Sequence, residues 1–325
     1  MVLIISSEDD QSTNDVIDWL IHYNIKFVRV SHLNNFFYKN LSLNDATFDV
    51  VLNIDDAIYN LQDFKVCWYR RSFLNVNIKP FEAKNNLRKQ IRTHLANETY
   101  EIHRFVKRYL EINSINKHND IFLNKLEVLQ QAAARGFRIP NTLITDNKAD
   151  LLHFYNRHKS IVTKNFSQGI FISVDNKVLG NSTRLIDSAM MDIIPNNFHY
   201  TLFQENIEKI VELRIFFLDN KFYSSAIFSQ NNEKTKLDFR NYDFEKPNRT
   251  PPFLLPKNIK EKLTLLMQKL NLNSGSIDIL ISKEKEYVFL EVNPIGQFSQ
   301  VSIPCNFYIE KKIAKQLKKR QNGVI

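Results

Sequence analysis

The stretch that decides the fold is SIDILISKEKEYVFLEVNPIGQF, residues 276–298. Apolar and polar side chains alternate along 276–282 and again along 287–293, which is typical of strands with one buried face. The polar residues 283–286 separate the two segments and are expected to form a hairpin loop. The sequence therefore predicts two antiparallel strands here.

Asp278 and Glu291 are expected to lie directly opposite each other on this hairpin. A four-residue loop pairs Ser282 with Tyr287, and the same count pairs Asp278 with Glu291. Asn293 follows two residues further along the same face. Opposed carboxylates about 5 Å apart repel each other, so a cation is expected between them. Oxygen ligands of this kind suit Mg²⁺ or Mn²⁺ that bridges phosphate groups, so we predict a metal site; the alternative is a slipped register in which Asp278 faces solvent and Asn293 only starts a turn.

A second hairpin is predicted upstream, at 211–218 and 222–229. Glu212 and Arg214 share one face of its first strand, and the apolar residues share the other. Taken alone, this pair is best interpreted as a surface ion pair, which contributes well under ~1 kcal/mol.

Two weaker signals come earlier in the chain. The strand 199–205 ends with Gln204 and Glu205, where exposed backbone groups could read the edge of an adenine ring. Lys164 closes another strand and precedes a short loop at 167–169. A lysine in such a position is usually exposed without a function, so this signal is weak by itself.

The composition is that of an ordinary globular protein. A chain of 325 residues suggests about two domains, and 43% hydrophobic with 24% charged residues exclude a disordered, collagen-like or coiled-coil chain. The six glycines stand far apart, at 136, 169, 180, 275, 296 and 323. Rossmann and Walker A loops place several glycines within a few residues, so those two ways of binding a nucleotide are excluded.

The net charge and the cysteine content indicate which partners and which cellular compartment to expect. Forty-four basic and 35 acidic residues give a net charge of +9, which favours anionic partners such as nucleotides, acidic peptides or nucleic acid. Cys67 and Cys305 are too few for a disulfide framework, so we expect a cytoplasmic protein. The first residues, MVLIISSEDD, lack the basic segment of a signal peptide, and no apolar run approaches the 18 residues of a membrane span.

The order of elements predicts a mixed α+β or α/β chain in three segments. Residues 1–115 are interpreted as an N-terminal α/β domain with a basic helical stretch at 80–112, which suits a solvated helix face or a surface for an acidic partner. After a linker at 114–120, residues 116–198 form a small α+β lobe, and residues 199–325 form a lobe of antiparallel strands with the metal site. The predicted strands are 2–5, 26–30, 48–54, 66–69, 142–145, 160–164, 170–174, 199–205, 211–218, 222–229, 276–282 and 287–293, and further helices are predicted at 122–135, 149–158, 257–271 and 305–320.

Taken in chain order, these features resemble the ATP-grasp family of carboxylate-activating ligases. The similarity is closest to the graspetide synthetases, which include the microviridin-type ligases and the grasp-with-spasm peptide maturases. It rests on WYRR at 68–71, NK at 124–125, GFRIPNTLIT at 136–145, Lys164, FQE at 203–205, ELR at 212–214, DFR at 238–240 and LEVNPIGQF at 290–298. The last block, with an Asp 13 residues before its Glu, is the specific part. The resemblance implies an ATP-grasp fold with an N-terminal pre-ATP-grasp domain, in which the small lobe at 116–198 would be the lid.

The resemblance also implies a role for each matching residue. ATP would be bound by Lys125, Lys164, Gln204, Glu205 and Arg214, with Arg214 at the transferred phosphate. Mg²⁺, or Mn²⁺, would be bound by Asp278, Glu291 and Asn293. The substrate carboxylate would meet Asp238 and Arg240. One departure is the loop after Lys164, which has only Gly169 where many relatives are richer in small residues, and this puts closure of the lid in doubt.

By the resemblance, the activity would be an ATP-dependent macrocyclisation of a ribosomally made precursor peptide with leader and core. Acyl phosphates would form on Asp or Glu side chains and react with Ser or Thr hydroxyls as ω-esters or with Lys as ω-amides, releasing ADP and phosphate. WYRR could face this substrate from a strand end, or it could be an aromatic core pair whose arginines reach the surface. No Ser-His-Asp or Cys-His nucleophile is needed, in keeping with the absence of GxSxG and HExxH motifs.

Two other functions stay open. The same chemistry could serve a small molecule or a protein tail. The basic charge could also belong to a non-enzymatic nucleic-acid-binding protein, although no RRM, KH or zinc-finger spacing supports it. The sequence does not fix the oligomeric state, and a homodimer is compatible with it.

Overall fold

A computed structural model describes residues 1–82, 84–118, 120–167, 171–174, 177–180, 183–241 and 243–323. The chain forms two compact units. The first unit comprises 1–122, 297–302 and 308–325, and the second comprises 123–296 and 303–307. In the described ranges, no helix combines the length and apolarity needed to cross a membrane.

The described secondary structure is mixed, with runs of consecutive strands between the helices. The strands are β1 (Val2–Ile5), β2 (Phe27–Val30), β3 (Phe36–Leu43), β4 (Phe48–Ile54), β5 (Ala57–Asn60), β6 (Val66–Tyr69), β7 (Ser114–Ile115), β8 (Thr142–Asn147), β9 (Ile161–Thr163), β10 (Phe171–Val174), β11 (Lys177–Gly180), β12 (Arg184–Ile186), β13 (Asn197–Glu205), β14 (Lys209–Leu218), β15 (Lys221–Ile227), β16 (Ser274–Ser282) and β17 (Tyr287–Asn293). The helices are α1 (Gln11–His22), α2 (Asn85–Ile112), α3 (Lys125–Ala133), α4 (Lys148–His158), α5 (Ser188–Ile193), α6 (Lys257–Lys269), α7 (Ser299–Ser302) and α8 (Ile309–Gln321).

The first unit is built on a parallel sheet with the strand order β2-β1-β6-β7. All four residues of β1 are buried, as expected for the centre of a parallel sheet. A second, antiparallel sheet, β3-β4-β5, packs into the same core as the C-terminal part of α2. The sequence predicted β1, β2, β4 and β6 but missed β3 and β5.

Two further sequence predictions for the first unit need correction. The predicted linker at 114–120 begins with β7, which is buried and pairs in parallel with β6. The terminal helix α8 packs on α1 within the first unit, although the sequence placed it in the C-terminal lobe. The three-segment division at 116 and 199 otherwise stays a prediction.

The first three residues of the WYRR motif are buried in the first unit, and the fourth, Arg71, is exposed. Trp68 and Tyr69 are buried, as the core interpretation expects. Arg70, however, does not reach the surface: its Nε lies 3.3 Å from a carboxylate oxygen of Asp10, and both side chains are buried. Arg70 also donates to the side chains of Ser12, at 2.8 Å, and Gln297, at 3.1 Å. This arginine therefore holds the start of α1 and the segment at 297 together inside the unit.

The second unit contains the antiparallel sheet β15-β14-β16-β17. One face of this sheet packs against α3 and α6 in a shared apolar core, so the polar residues of β14, β16 and β17 lie on its other face. A smaller sheet, β12-β9-β13-β8, and the hairpin β10-β11 complete the unit. Gly136 ends the turn after α3 with φ of +76°, the left-handed conformation expected of a helix-terminating glycine.

Candidate active site

Three charged residues lie side by side on the polar face of the main sheet. Arg214 on β14 pairs with Asp278 on β16, and Asp278 pairs with Glu291 on β17. The opposed carboxylates expected from the sequence are therefore found on adjacent strands. Asn293 continues the same face and pairs with Ser276.

The hairpin reaches this register by a different route from the one predicted. Its loop has three residues instead of four, because the Ser282 amide donates to the Glu286 carbonyl at 3.0 Å and the Lys285 amide donates to the Ser282 carbonyl at 2.9 Å. Lys285 adopts φ of +63°, as the third residue of such a loop commonly does. Tyr287 consequently pairs with Ile281 instead of Ser282.

A bulge then restores the predicted pairing. The register shifts by one residue between Ile279, which pairs with Phe289, and Asp278, which pairs with Glu291. Leu290 is the extra residue on β17. A bulge bends its strand and re-aims neighbouring side chains, and such irregularities are frequent next to active sites.

Arg214 neutralises Asp278 at close range. Its Nη1 lies 2.6 Å and 2.7 Å from the two carboxylate oxygens of Asp278. The two side chains are only 10% and 12% exposed, so this is a buried ion pair. The surface pair of Glu212 with Arg214 that the sequence favoured is wrong, because Arg214 pairs with Asp278 and Glu212 with Lys209. Burial nevertheless raises the pKa of Asp278, with the nearby Glu291 adding to the rise, although Arg214 opposes it.

Glu291 lies among basic side chains. Lys125 Nζ is 3.9 Å from one of its oxygens, and Arg240 Nη1 is 3.9 Å from the other. Burial acts to raise the pKa of Glu291, but Lys164, Lys125 and Arg240 outweigh it and hold that pKa below its ordinary value. Burial lowers the pKa of Lys164, and the nearby Glu291 only partly opposes this effect. Four basic groups therefore surround the pair of carboxylates.

Asp238 and Arg240 form a rigid pair on the loop that follows β15. Arg240 Nε and Nη2 donate to the two oxygens of Asp238 at 2.8 Å and 2.7 Å. Thr183 Oγ1 donates to Asp238 at 3.0 Å. The hydrogen bonds that Arg240 donates to Asp238 raise the pKa of Arg240. Burial acts to raise the pKa of Asp238, but Arg240 outweighs it, so the pKa of this carboxyl is lowered. The arginine is thus held with its remaining Nη1 toward Glu291.

A second ion pair, buried beside the site, fixes the base of this loop. Lys209 Nζ lies 3.1 Å from Glu212 and donates to the Leu237 carbonyl at 3.0 Å. Ser229 Oγ donates to the same Glu212 oxygen at 2.8 Å. Leu237 directly precedes Asp238, so Lys209 ties the loop to β14. The sequence singled out Glu212 but gave no signal for Lys209.

These groups line one end of a pocket in the second unit. Its apolar walls were not predicted from the sequence, because their residues look like ordinary strand and loop positions. The walls include Val162, Ile207, Leu237, Leu280 and Leu290, and the polar lining includes Lys164, Gln204, Glu205, Lys209, Glu212, Asp238, Arg240, Asp278 and Glu291. Alternation of strand residues could have found Leu280, which shares a face with Asp278.

The backbone amide at the end of β13 is not available in the way the sequence suggested. The Glu205 amide donates to the Asn141 carbonyl at 3.0 Å, and the Glu205 carboxylate accepts from the Asn141 amide at 3.0 Å and lies 3.6 Å from Arg138. The buried Gln204 side chain donates to Thr142 at 2.9 Å. These hydrogen bonds fix the backbone and side chains at this edge of the pocket. The predicted role of Glu205 in binding ATP stays a prediction.

Asn293 has a local partner. Its side-chain oxygen accepts from the Ile295 amide at 3.1 Å, and the residue is exposed. Gly296 closes the same turn, because its amide donates to the Asn293 carbonyl at 3.0 Å. Over the described ranges, no cluster of three or more His, Cys, Asp or Glu side chains is suited to a metal. Two of the three predicted metal ligands, Asp278 and Glu291, are carboxylates on adjacent strands, and the metal roles of Asp278, Glu291 and Asn293 stay predictions. Gln168, Gly169 and Ile170, which the sequence placed in the loop after Lys164 and the next strand, lie outside the described residues.

Comparison with known proteins gives a result at the level of structure. No protein-family model matches the chain, and no curated protein matches it. The RiPP-associated ATP-grasp ligase of Chryseobacterium gregarium, solved with ADP and a leader and core peptide, superposes with a TM-score of 0.77 at 23% identity, covering 100% of this chain and 97% of that one.

Two further solved structures are similar over nearly the whole chain. The macrocyclase MdnC of Microcystis aeruginosa MRC, bound with the precursor peptide MdnA, gives a TM-score of 0.75 at 26% identity, covering 97% of this chain and 98% of that one. The ATP-grasp ligase PsnB, complexed with a minimal precursor, Mg and ADP, gives 0.69 at 15% identity, covering 98% and 97%. The resemblance expected from the sequence is thereby confirmed, and the chain has the ATP-grasp fold of the peptide-modifying ligases to which it is similar.

Proposed function

We propose that this chain is an ATP-dependent ligase that activates side-chain carboxylates of a ribosomally made precursor peptide and crosslinks them to side-chain hydroxyls or amines. The observation that supports it most is the convergence of Lys125, Arg214 and Arg240 on the opposed carboxylates Asp278 and Glu291. Basic groups suit the phosphates of a nucleotide, and paired carboxylates suit the divalent ion that accompanies them.

The pocket fits a nucleotide in its chemistry. Val162, Leu280 and Leu290 provide apolar walls of the kind that bury a purine ring, and the polar groups are gathered beside them. Burial and the nearby Glu291 raise the pKa of Asp278 even with Arg214 beside it, and a divalent ion next to the two carboxylates would favour their charged forms. We therefore propose that Asp278, Glu291 and Asn293 would hold the divalent ion, with Asn293 contributing the side-chain oxygen that also accepts from the Ile295 amide.

The side chains would divide the chemistry as follows. Bound ATP with Mg²⁺ would supply the phosphoryl group that turns a carboxylate into an acyl phosphate, with ADP as product. Lys125 and Lys164 would neutralise phosphate oxygens, and Arg214 would neutralise the group in transfer. Arg240, held by Asp238, would orient the substrate carboxylate and donate to the oxyanion that forms when the nucleophile attacks.

The substrate class is supported by similarity. MdnC, the macrocyclase that is 26% identical, was solved with its precursor peptide, and the net charge of +9 suits an acidic peptide. The choice between ester and amide bonds is left to the product analysis. Both cysteines are free and buried, which suits the reducing cytoplasm that we propose as the location.

The test is peptide-dependent nucleotide turnover. Purified protein should release ADP only with Mg²⁺ and with a peptide encoded by a neighbouring short reading frame rich in Thr, Ser, Asp and Glu. Mass spectrometry should show the loss of one water for each bond formed. A gain of residue mass would instead identify a ligase that extends a small molecule or protein tail, and salt-dependent RNA binding without ADP release would favour the nucleic-acid interpretation.

A matched pair of variants makes the test specific to the site. Glu291→Gln should abolish peptide-dependent ADP release, because it removes the charge between Lys125 and Arg240. Glu284→Gln, in the exposed loop of the same hairpin, is the control and should keep activity. Full activity of Glu291→Gln would contradict the proposal.

A further inference from the structure

The loop between β15 and α6 carries two residues of the site but has no regular structure of its own. Among its described residues, 228–241 and 243–256, there is no helix or strand. Asp238 and Arg240 lie in this loop, and Arg240 reaches toward Glu291 on β17. Loops hold side chains less precisely than strands do, and a misplacement of about 1 Å can lower a rate roughly a hundredfold. The loop therefore needs an anchor on the sheet.

The first part of the loop folds onto itself. The hydroxyl of the buried Thr235 lies 3.2 Å from the Ser229 carbonyl and 3.0 Å from the side-chain oxygen of Asn248. The Gln230 side chain donates to the Lys236 carbonyl at 3.1 Å. These contacts join loop residues to one another and give the segment a shape, but they do not attach it to β14.

Lys209 and Glu212 attach the two ends of that segment to β14. Glu212 Oε1 accepts from Ser229 Oγ at 2.8 Å. Lys209 Nζ lies 3.1 Å from the same carboxylate oxygen and donates to the Leu237 carbonyl at 3.0 Å. The second of these attachments acts on the residue directly before Asp238.

A short series of contacts leads from this anchor to the metal-site carboxylates. Asp238 is only 6% exposed, and its two oxygens accept from Arg240 at 2.8 Å and 2.7 Å. Arg240 Nη1 in turn lies 3.9 Å from Glu291. A shift of the Leu237 carbonyl would move Asp238, and Arg240 would follow because two hydrogen bonds tie its guanidinium to that carboxylate.

The charge of Lys209 is neutralised inside the protein. The Lys209 side chain is 8% exposed and that of Glu212 is 10% exposed, so the two form a buried ion pair. Burial raises the pKa of Glu212, and Lys209 opposes this rise. Lys209 also lines the pocket, so direct contact with a nucleotide is the alternative that an experiment has to separate from an anchoring role.

We propose that Lys209 is a positioning residue, which keeps Arg240 in place beside Glu291 by holding the Leu237 carbonyl against β14. This inference rests on the proposed function, in which Arg240 orients the substrate carboxylate. Lys209 acts on the reaction through Arg240 and touches neither substrate nor nucleotide. The anchoring itself is a property of the fold and can be measured without turnover.

The first test is hydrogen exchange of the full-length protein without substrates. The amides of Arg240 and Asn241 both donate to Asp238, each at 3.1 Å, so their exchange reports on this part of the loop. In Lys209→Met both amides should exchange at least about tenfold faster, while those of β16 and β17 keep their rates. The control Lys257→Met removes an exposed lysine at the start of α6 and should change neither.

The second test is a double-variant cycle on peptide-dependent turnover, followed by mass spectrometry of the product. Lys209→Met should lower kcat/KM for the peptide at least about tenfold. Binding of ADP with Mg²⁺, measured by calorimetry, should change less than about threefold, and in an Arg240→Met background the same substitution should lower kcat/KM less than about threefold further, because the group that Lys209 positions is already gone. A full loss in that background, or a loss of ADP binding equal to the loss of activity, would overturn the proposal.

The two tests distinguish this inference from the proposed function. If the wild type releases no ADP with any precursor peptide, the proposed function is wrong, and hydrogen exchange alone decides whether Lys209 holds the loop. If Lys209→Met does not fold, adding Glu212→Gln removes the buried charge left without a partner, and the loop amides should again exchange faster. Unchanged exchange in a folded variant would overturn the proposal whatever the turnover.

Discussion

Removal of Arg214 should destabilise the second unit by an amount that the structure allows to be worked out. In Arg214→Met the carboxylate of Asp278 would stay buried opposite Glu291 without its neutralising partner. Breaking a buried pair from one side costs about 3–5 kcal/mol, and we take the lower end because both side chains keep some exposure, at 10% and 12%. For a unit of about 180 residues, ~3 kcal/mol corresponds to a fall in Tm of about 6–12 °C.

A double variant shows whether the loss comes from this pair. Asp278→Asn together with Arg214→Met removes both charges and should recover at least half of the lost stability, as a coupled pair requires. The measurement is denaturant or thermal unfolding of the four proteins of the cycle near pH 7 and again under mild acid. The pKa of Asp278 rises further without Arg214, so protonation should narrow the gap between Arg214→Met and the wild type as pH falls. Additive effects of the two substitutions, or a gap that does not narrow in acid, would refute the reasoning.

The remaining predictions concern the turn after β17 and a buried histidine. A Cβ at Gly296 would lie 2.6 Å from the Cβ of Ser276, so Gly296→Ala should lower the free energy of unfolding by about 1–3 kcal/mol. Adding Ser276→Gly to this variant should restore most of the lost stability. If it restores none, the contact with Ser276 is not the cause. His103, which lies 2.8 Å from the Tyr38 hydroxyl, has its pKa lowered by burial to about 4. As pH falls, His103 therefore takes up a proton in the unfolded chain before it does so in the folded protein. Its contribution to the free energy of unfolding, at most about 3 kcal/mol, is present above pH 6.5 and should be lost as pH falls toward 4. His103→Gln should flatten that part of the stability profile, and an unchanged profile would exclude His103 as its source.

Much of the sheet structure could be predicted because alternation is a local signal. Residues 48–54, 66–69 and 287–293 were predicted as strands with the bounds that the structure has. The same alternation put Arg214 and Asp278 on the polar face. The carboxylate pair was found by counting from a four-residue loop that the structure does not have. The predicted pairing of Asp278 with Glu291 is nevertheless right, because the bulge at Leu290 compensates for the shorter loop.

Other features depend on interactions that the sequence does not display. Strand β3 runs as FFYKNLSL, whose polar second half hides it from a hydrophobic pattern, and β7 has only two residues and is fixed by pairing with β6. Arg70 was expected either to face a substrate or to reach the surface, because its distant partner Asp10 could not be identified by spacing. Lys209 gave no signal for the same reason, since its carbonyl partner belongs to Leu237.

The shortened loop and the bulge at Leu290 have a consequence for sequence alignment. The loop is one residue shorter than predicted and the bulge adds one residue to β17, so their effects on the register cancel. A homologue could therefore have a loop longer by one residue, lack the bulge and still place the same two carboxylates opposite each other. Aligning such chains by distance from the loop would shift Glu291 by one position onto an apolar neighbour. Homologues should be matched on the carboxylate itself, and an insertion near 284 should be accompanied by a deletion near 290.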